Sequence, residues 1–192
     1  LWMGTFHSIF AKFLRYDGHH LGYKSNFTIY DTDNTRSLIR TIIREMNLDD
    51  SVYKPASIAG RISHAKNNLI TAGQYGSVPQ ITESDKASRI PDTATIYRHY
   101  AARCFKANAM DFDDLLLNIN ILFRDFPAVL EEYRNRFDYV LVDEYQDTNF
   151  SQYIIVHKLS EKHRNICVVG DDAQSIYSFR GARIENILNF QN

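Results

Sequence analysis

Apolar side chains recur with a helical period almost from the start of the chain. Phe6, Ile9, Phe10, Phe13 and Leu14 fall at i, i+3, i+4, i+7 and i+8, one face of a 3.6-residue repeat, and predict a helix opening near Thr5. Gly18 and Gly22 then punctuate a loop, with residues 27–30 a short extended segment. Residues 31–35 offer several capping side chains before Leu38, Ile39, Ile42, Ile43 and Met46, the apolar face of a second helix. Pro55 can open a third helix as its first-turn residue, continued by Ile58, Ile62, Ala65, Leu69 and Ile70. Residues 71–91 carry Gly73, Gly76 and Pro79 and read as loop. Ile96, Tyr97, Tyr100 and Cys104 mark a fourth helix, and residues 112–123 a fifth. The middle of the chain is therefore predicted to be helical.

After Phe137 the pattern changes. Tyr139-Val140-Leu141-Val142 is a short apolar, β-branched run ending on Asp143-Glu144. Residues 151–159 are helical in period, and Ile166-Cys167-Val168-Val169 is a second short run ending on Gly170-Asp171. Strand, helix, strand at this spacing predicts parallel β/α packing, with both runs buried and both strand ends delivering acids to one edge. The carboxyl edge of parallel strands is where open α/β sheets place ligands.

The 192 residues fit one ordinary domain or two small ones. With 44% hydrophobic and 23% charged residues the chain is globular, which excludes a disordered or fibrous protein. No apolar run approaches the roughly 20 residues of a membrane span and no leader pattern opens the sequence, so a cytoplasmic protein without a membrane partner is expected. Cys104 and Cys167 stand apart from each other and from any metal-ligand spacing, so no disulfide framework or zinc site organises the fold. A formal net charge of −1 does not itself point to a polyanion. Residues 29–108, however, hold 11 basic against 8 acidic side chains, while the remainder holds 11 against 15. That modest bias is compatible with phosphate contact by the helical stretch. Leu1-Trp2-Met3-Gly4 reads as the tail of a strand and Asn189–Asn192 ends without a cap, which predicts a segment of a longer chain.

Four apolar residues followed by Asp143-Glu144 suit a phosphoryl-transfer site. There the first carboxylate at a strand end holds Mg²⁺, usually through water, and its neighbour can polarise the attacking water. The same pattern also suits a strand that simply exits into a polar loop. The context sharpens the choice: Asp143-Glu144-Tyr145-Gln146-Asp147-Thr148-Asn149 is unusually polar, and the second strand runs into Gly170-Asp171-Asp172-Ala173-Gln174-Ser175-Ile176-Tyr177.

With Gly4-Thr5-Phe6-His7-Ser8 near the start, these segments resemble motifs Ia, II and III of the UvrD/PcrA/Rep branch of superfamily 1 DNA helicases. Asp111-Phe112-Asp113-Asp114-Leu115 resembles a stretch those proteins carry just upstream of motif II. The resemblance runs the length of the chain in order and spacing. It implies that Asp143 is the Mg²⁺ ligand and Glu144 the base that orients the hydrolytic water. Gln174 matches the glutamine that contacts the γ-phosphate of ATP, although as a residue it equally suits a loop amide capping the next helix. Arg180 would join the nucleotide side to the DNA side. Thr5, Phe6 and His7 match a single-strand contact element, in which a hydroxyl at a helix start meets phosphate and a ring stacks on a base. Phe6 also fits the apolar face with Phe10 and Phe13. Tyr177 and Phe179 beside Arg180 would form a stacking platform, with Phe179 standing where relatives usually carry Trp.

The resemblance further implies an α/β fold: part of a P-loop NTPase (RecA-like) parallel sheet interrupted by an all-helical insertion. Residues 1–28 and 109–192 would be two parts of motor subdomain 1A, and residues 29–108 the helical insertion 1B. The parent would be an ATP-dependent 3′–5′ helicase in repair or replication restart. It would act on single-stranded DNA and single/double-strand junctions, with a second motor domain in the same polypeptide. No Gly in the chain is followed by Lys, so no GxxxxGK[ST] phosphate loop is present, and these 192 residues alone are expected to be catalytically silent. Two alternatives stay open: the motor of a RecB/AddA-like helicase–nuclease, and a non-catalytic DNA- or protein-binding module.

Overall fold

The computed structural model describes residues 1–171. Several of its helices begin where a side chain can satisfy a free N–H group of the first turn, and others begin on a proline. Helix α1 (Phe6–Asp17) opens behind Thr5, whose Oγ1 accepts the Ser8 N–H at 3.3 Å. Helix α2 (Thr32–Glu45) opens on a reciprocal capping box: Asp31 accepts the Asn34 N–H at 2.8 Å and Asn34 accepts the Asp31 N–H at 3.3 Å. Helix α3 (Pro55–Asn67) starts on its proline, as the spacing predicts.

The reading of residues 71–91 as loop is corrected by helices α4 (Ala72–Tyr75) and α5 (Pro79–Ala87). Of the residues that looked like breakers, Pro79 acts as an opener, whereas Gly73 lies within α4 and Gly76 ends it. Thr71 closes a capping box with Gln74, and Pro79 sits in the first turn of α5. Tertiary anchors hold both helices down. Tyr75 is buried edge-on against Tyr97, with ring centroids 5.7 Å apart, and buried Asp85 receives Arg61 at 2.6 Å.

Helix α6 (Thr93–Lys106) leads into a short strand that returns the chain to the point it left. Strands β1 (Thr28–Tyr30) and β2 (Ala109–Asp111) pair in parallel, Thr28 opposite Ala109 and Tyr30 opposite Asp111, so α2–α6 depart and return through one neck. Helices α7 (Phe112–Asp125) and α8 (Pro127–Arg136) follow. Strand β3 (Val140–Val142), helix α9 (Phe150–Ser160) and strand β4 (Ile166–Val168) complete the described part, with β3 and β4 parallel in the register Val142 opposite Val168. The expectation that both strand runs are buried fails on one face. Leu141 and Val169 are exposed at 75% and 59%, because only the other face of the pair is packed, against Tyr145 and the α9 residue Val156. Among the described residues no helix is long and apolar enough to cross a membrane.

Two main apolar clusters form on either side of the neck. One joins α1, α7, α8 and α9 around Phe10, Phe13, Leu116, Ile119, Tyr133 and Ile155, with Phe13 stacked on Tyr133 at 3.9 Å. The other joins α2, α3, α4 and α6 around Ile39, Ile42, Ile58, Ile62, Tyr97 and Tyr100. Between them lies a buried ion cluster. The Lys66 ammonium, 1% exposed, sits 2.7 Å from both Asp111 and Asp114. Tyr100 donates its hydroxyl to Asp111 at 2.8 Å. Burial opposes the charged forms of these groups. The mutual attraction outweighs it for Lys66, held well above its ordinary range, and for Asp111, held below its own. Asp114, with fewer hydrogen bonds to its charge, is pushed up by burial to about 7.

Candidate functional site

The acidic pair stands at the carboxyl end of β3, where the chain leaves the sheet. Asp143 accepts the Glu144 backbone N–H at 2.9 Å through one carboxylate oxygen. Glu144 is left-handed, with φ 51°. Most other non-glycine residues with positive φ, such as Asn47, Leu69 and Asn108, follow helix ends, where that conformation is routine. At Glu144 it follows a strand and stores about 1–3 kcal/mol of strain, a pattern that clusters at functional sites.

A rigid turn supports this corner. Tyr145, Gln146 and Thr148 are each about 1% exposed. The Tyr145 N–H donates to Val169 O at 2.9 Å, and Thr148 Oγ1 donates to Tyr145 O at 2.7 Å. Gln146 spans the two strand ends: its Nε2 donates to Glu144 Oε2 at 2.6 Å and its Oε1 accepts the Asp171 N–H at 3.1 Å. The Glu144 carboxylate is thus oriented by one amide while remaining exposed. Asp147 is pushed above the ordinary carboxylate range, first by burial and then by the nearby charge of Glu144. Its Oδ1 is buried without a hydrogen-bond partner among the described residues. A corner so rich in anionic oxygen favours a hard cation. No group of three or more potential ligands converges among the described residues.

The second predicted group lies at the start of α1. Thr5 is exposed, its hydroxyl engaged as the helix cap. Phe6 is half-buried and packs against the small cluster of Val142, Tyr145 and Val156, so much of its ring serves the core. His7 meets Phe112 edge to face, with centroids 5.5 Å apart and planes at 87°. Burial lowers the His7 pKa, against the opposing pull of Asp113, and so favours the neutral ring. Gln174, Tyr177, Phe179 and Arg180 lie outside the described residues.

Phe112 is a further candidate that sequence reasoning did not single out. It is in phase with Leu116, Ile119 and Phe123, so periodicity assigns it to the core. As the first residue of α7 it projects beyond the packed face and stays 48% exposed beside His7. Only its place within Asp111-Phe112-Asp113-Asp114 hinted at another use.

The family model for the UvrD/REP helicase N-terminal domain matches residues 1–192. The chain is 42% identical over 191 residues to proteins named ATP-dependent DNA helicase PcrA from Leuconostoc citreum and Staphylococcus aureus, and equally so to that of Staphylococcus epidermidis. Each alignment takes in all of this chain and 25% of the relative, so the chain spans about a quarter of the length of the curated proteins it matches. With a match over its whole length, this chain belongs to the UvrD/REP helicase N-terminal domain family.

Proposed function

We propose that this chain supplies the acidic half of an ATPase site and part of a single-strand track in an ATP-dependent DNA helicase that moves 3′ to 5′. The observation that carries the reading is the strained acidic pair at the end of β3, oriented by Gln146 and set beside the end of β4. In this reading Asp143 would hold Mg²⁺, which neutralises phosphate charge when bound. Glu144 accepts a proton from the attacking water through the carboxylate that Gln146 orients. Gln174 and Arg180 serve the nucleotide side, and Tyr177 and Phe179 the bases. The β3–β4 pair is taken as part of a RecA-like parallel sheet. The two apolar clusters support dividing the chain into residues 1–28 and 109–192 on the motor side and residues 29–108 as the helical insertion. A second motor domain would close the nucleotide cleft. The natural setting would be cytoplasmic DNA repair or replication restart, at junctions of single- and double-stranded DNA.

The test is steady-state ATP hydrolysis by the natural full-length protein, with and without an oligothymidine. Strong stimulation by the oligonucleotide is expected. No hydrolysis under either condition overturns the proposal. The 192 residues alone, without a phosphate loop, are expected to show none.

On the DNA side, Thr5, His7 and Phe112 offer one hydroxyl and two rings on neighbouring surface. Stacking of a base on an aromatic ring is worth about 1–3 kcal/mol. Phe112→Ala is therefore expected to weaken oligothymidine binding by about 5- to 150-fold. The slope of log K against log salt should stay unchanged, since stacking releases few counterions. Fluorescence anisotropy titrations at three salt concentrations measure both quantities. An unchanged Kd removes Phe112 from the track.

A further inference from the structure

One amide joins the two halves of the proposed site. Asn67, at the end of α3, accepts a hydrogen bond at its Oδ1 from Asn149 Nδ2 at 2.7 Å. Its own Nδ2 donates to Asp113 Oδ1 at 3.0 Å and to Ser63 O at 3.0 Å. The orientation follows from chemistry. Asp113 and the Ser63 carbonyl can only accept from the amide, and the Asn149 oxygen is already engaged by the Gln152 N–H at 2.9 Å.

The two ends of this bridge are significant. Asn149 caps α9 and directly follows the buried 145–148 turn, which itself follows Asp143 and Glu144. Asp113 adjoins Phe112 in the first turn of α7 and acts on His7. Asn67 thus stands between the acidic corner and the two rings, although it belongs to a helix packed in the other apolar cluster. Rigid elements flank it on both sides: the 145–148 turn, and the Lys66–Asp111–Asp114 cluster that fixes the start of α7.

We propose that Asn67 is a positioning residue that couples nucleotide occupancy at the acidic corner to single-strand binding at His7 and Phe112. The proposal rests on the helicase reading above. It gives the helical insertion a part in the ATPase cycle, as the piece whose single side chain bonds Asn149 on one side and Asp113 on the other.

The test uses the natural full-length protein and three variants: Asn67→Ala, Asn67→Asp, and Asn67→Asp combined with Asp113→Asn. The Ala change removes the bonds to Asn149 and Asp113 together with that to the Ser63 carbonyl. The Asp change keeps an acceptor for Asn149 but sets a carboxylate against Asp113. The exchange restores an amide–carboxylate bond with its sense reversed. Two readouts are taken: ATP hydrolysis with and without oligothymidine, and oligothymidine Kd with and without a non-hydrolysable ATP analogue. For both single variants, hydrolysis without DNA is expected to stay within about twofold, while stimulation by DNA and the nucleotide-dependent change in Kd fall about fivefold or more. The exchange should recover both. If stimulation and the Kd change persist in Asn67→Ala, the proposal is overturned. It is also overturned if basal and stimulated rates fall in parallel with no recovery in the exchange, which would make Asn67 a packing residue. Absence of stimulation in the unaltered protein would instead defeat the helicase reading, and this inference with it.

Discussion

Glu144→Gln in the natural full-length protein is expected to lower ATP turnover by about 10²–10⁴-fold while leaving ATP binding unchanged. The carboxylate is proposed to act on water, so its loss removes a proton acceptor without touching the nucleotide. The substitution is also mild structurally. Glu144 is exposed, and a glutamine oxygen can still accept the 2.6 Å bond from Gln146. The left-handed backbone at φ 51° costs either side chain about the same. Single-turnover hydrolysis and equilibrium binding of a fluorescent ATP analogue separate the two effects. Near-normal turnover would reduce Glu144 to a turn residue. Loss of nucleotide affinity in step with turnover would instead place it on the phosphates.

The fold was legible wherever one helix face or one cap carried the signal. The helices behind Thr5 and Asp31 appear where their caps predict, because capping is a local interaction between residues three apart, and the third opens on Pro55, whose fixed φ and missing N–H suit a first turn. The parallel pair β3–β4 was legible for a related reason: two short β-branched runs bracket one helix. What escaped was held by distant partners. Helix α5 depends on Arg61 reaching Asp85, and α4 on Tyr75 meeting Tyr97, contacts that span more than twenty residues. Helix α8, also unforeseen, is short and buries only Val129, Leu130 and Tyr133, too few positions to show a period.

For the candidate site, the place of the acidic pair at a strand end was readable and its geometry was not. A run of apolar residues ending on two acids already implies a strand edge. Nothing in it shows that Gln146 links Glu144 to Asp171, or that Glu144 is left-handed. Phe112 illustrates the opposite failure. Its helical phase matches the core, yet the first residue of a helix has no preceding turn to pack with and can face outward. Asn67 carries no sequence signal for its bridge, since the two partners it joins lie 46 and 82 residues away.

The largest effect on stability is expected at Lys66. Replacing it with methionine keeps most of the side-chain volume but leaves Asp111 and Asp114 buried side by side without their counterion. Breaking a buried ion pair in this way costs about 3–5 kcal/mol. The pH dependence identifies the cause. In the unaltered chain Lys66 holds Asp111 below the ordinary carboxylate range against the effect of burial, so the stabilisation from Asp111 is fully present above that range and lost as pH falls below it, through the lowered folded value. Asp114 behaves oppositely: with a pKa raised by burial to about 7, its ionisation erodes stability as pH rises from the ordinary carboxylate range toward 7. Without Lys66 both acids shift upward and take up protons in the folded state. The destabilisation by Lys66→Met is therefore expected to be largest near pH 8 and to shrink toward pH 5. Urea unfolding at the two pH values, followed through the single tryptophan, Trp2, measures this directly. Adding Asp111→Asn and Asp114→Asn should recover much of the loss, because asparagine can still cap α7 and no buried charge remains. An equal cost at both pH values, with no recovery in the triple variant, would mean that packing around the lysine stem, and not the ion cluster, ties α3 to α7.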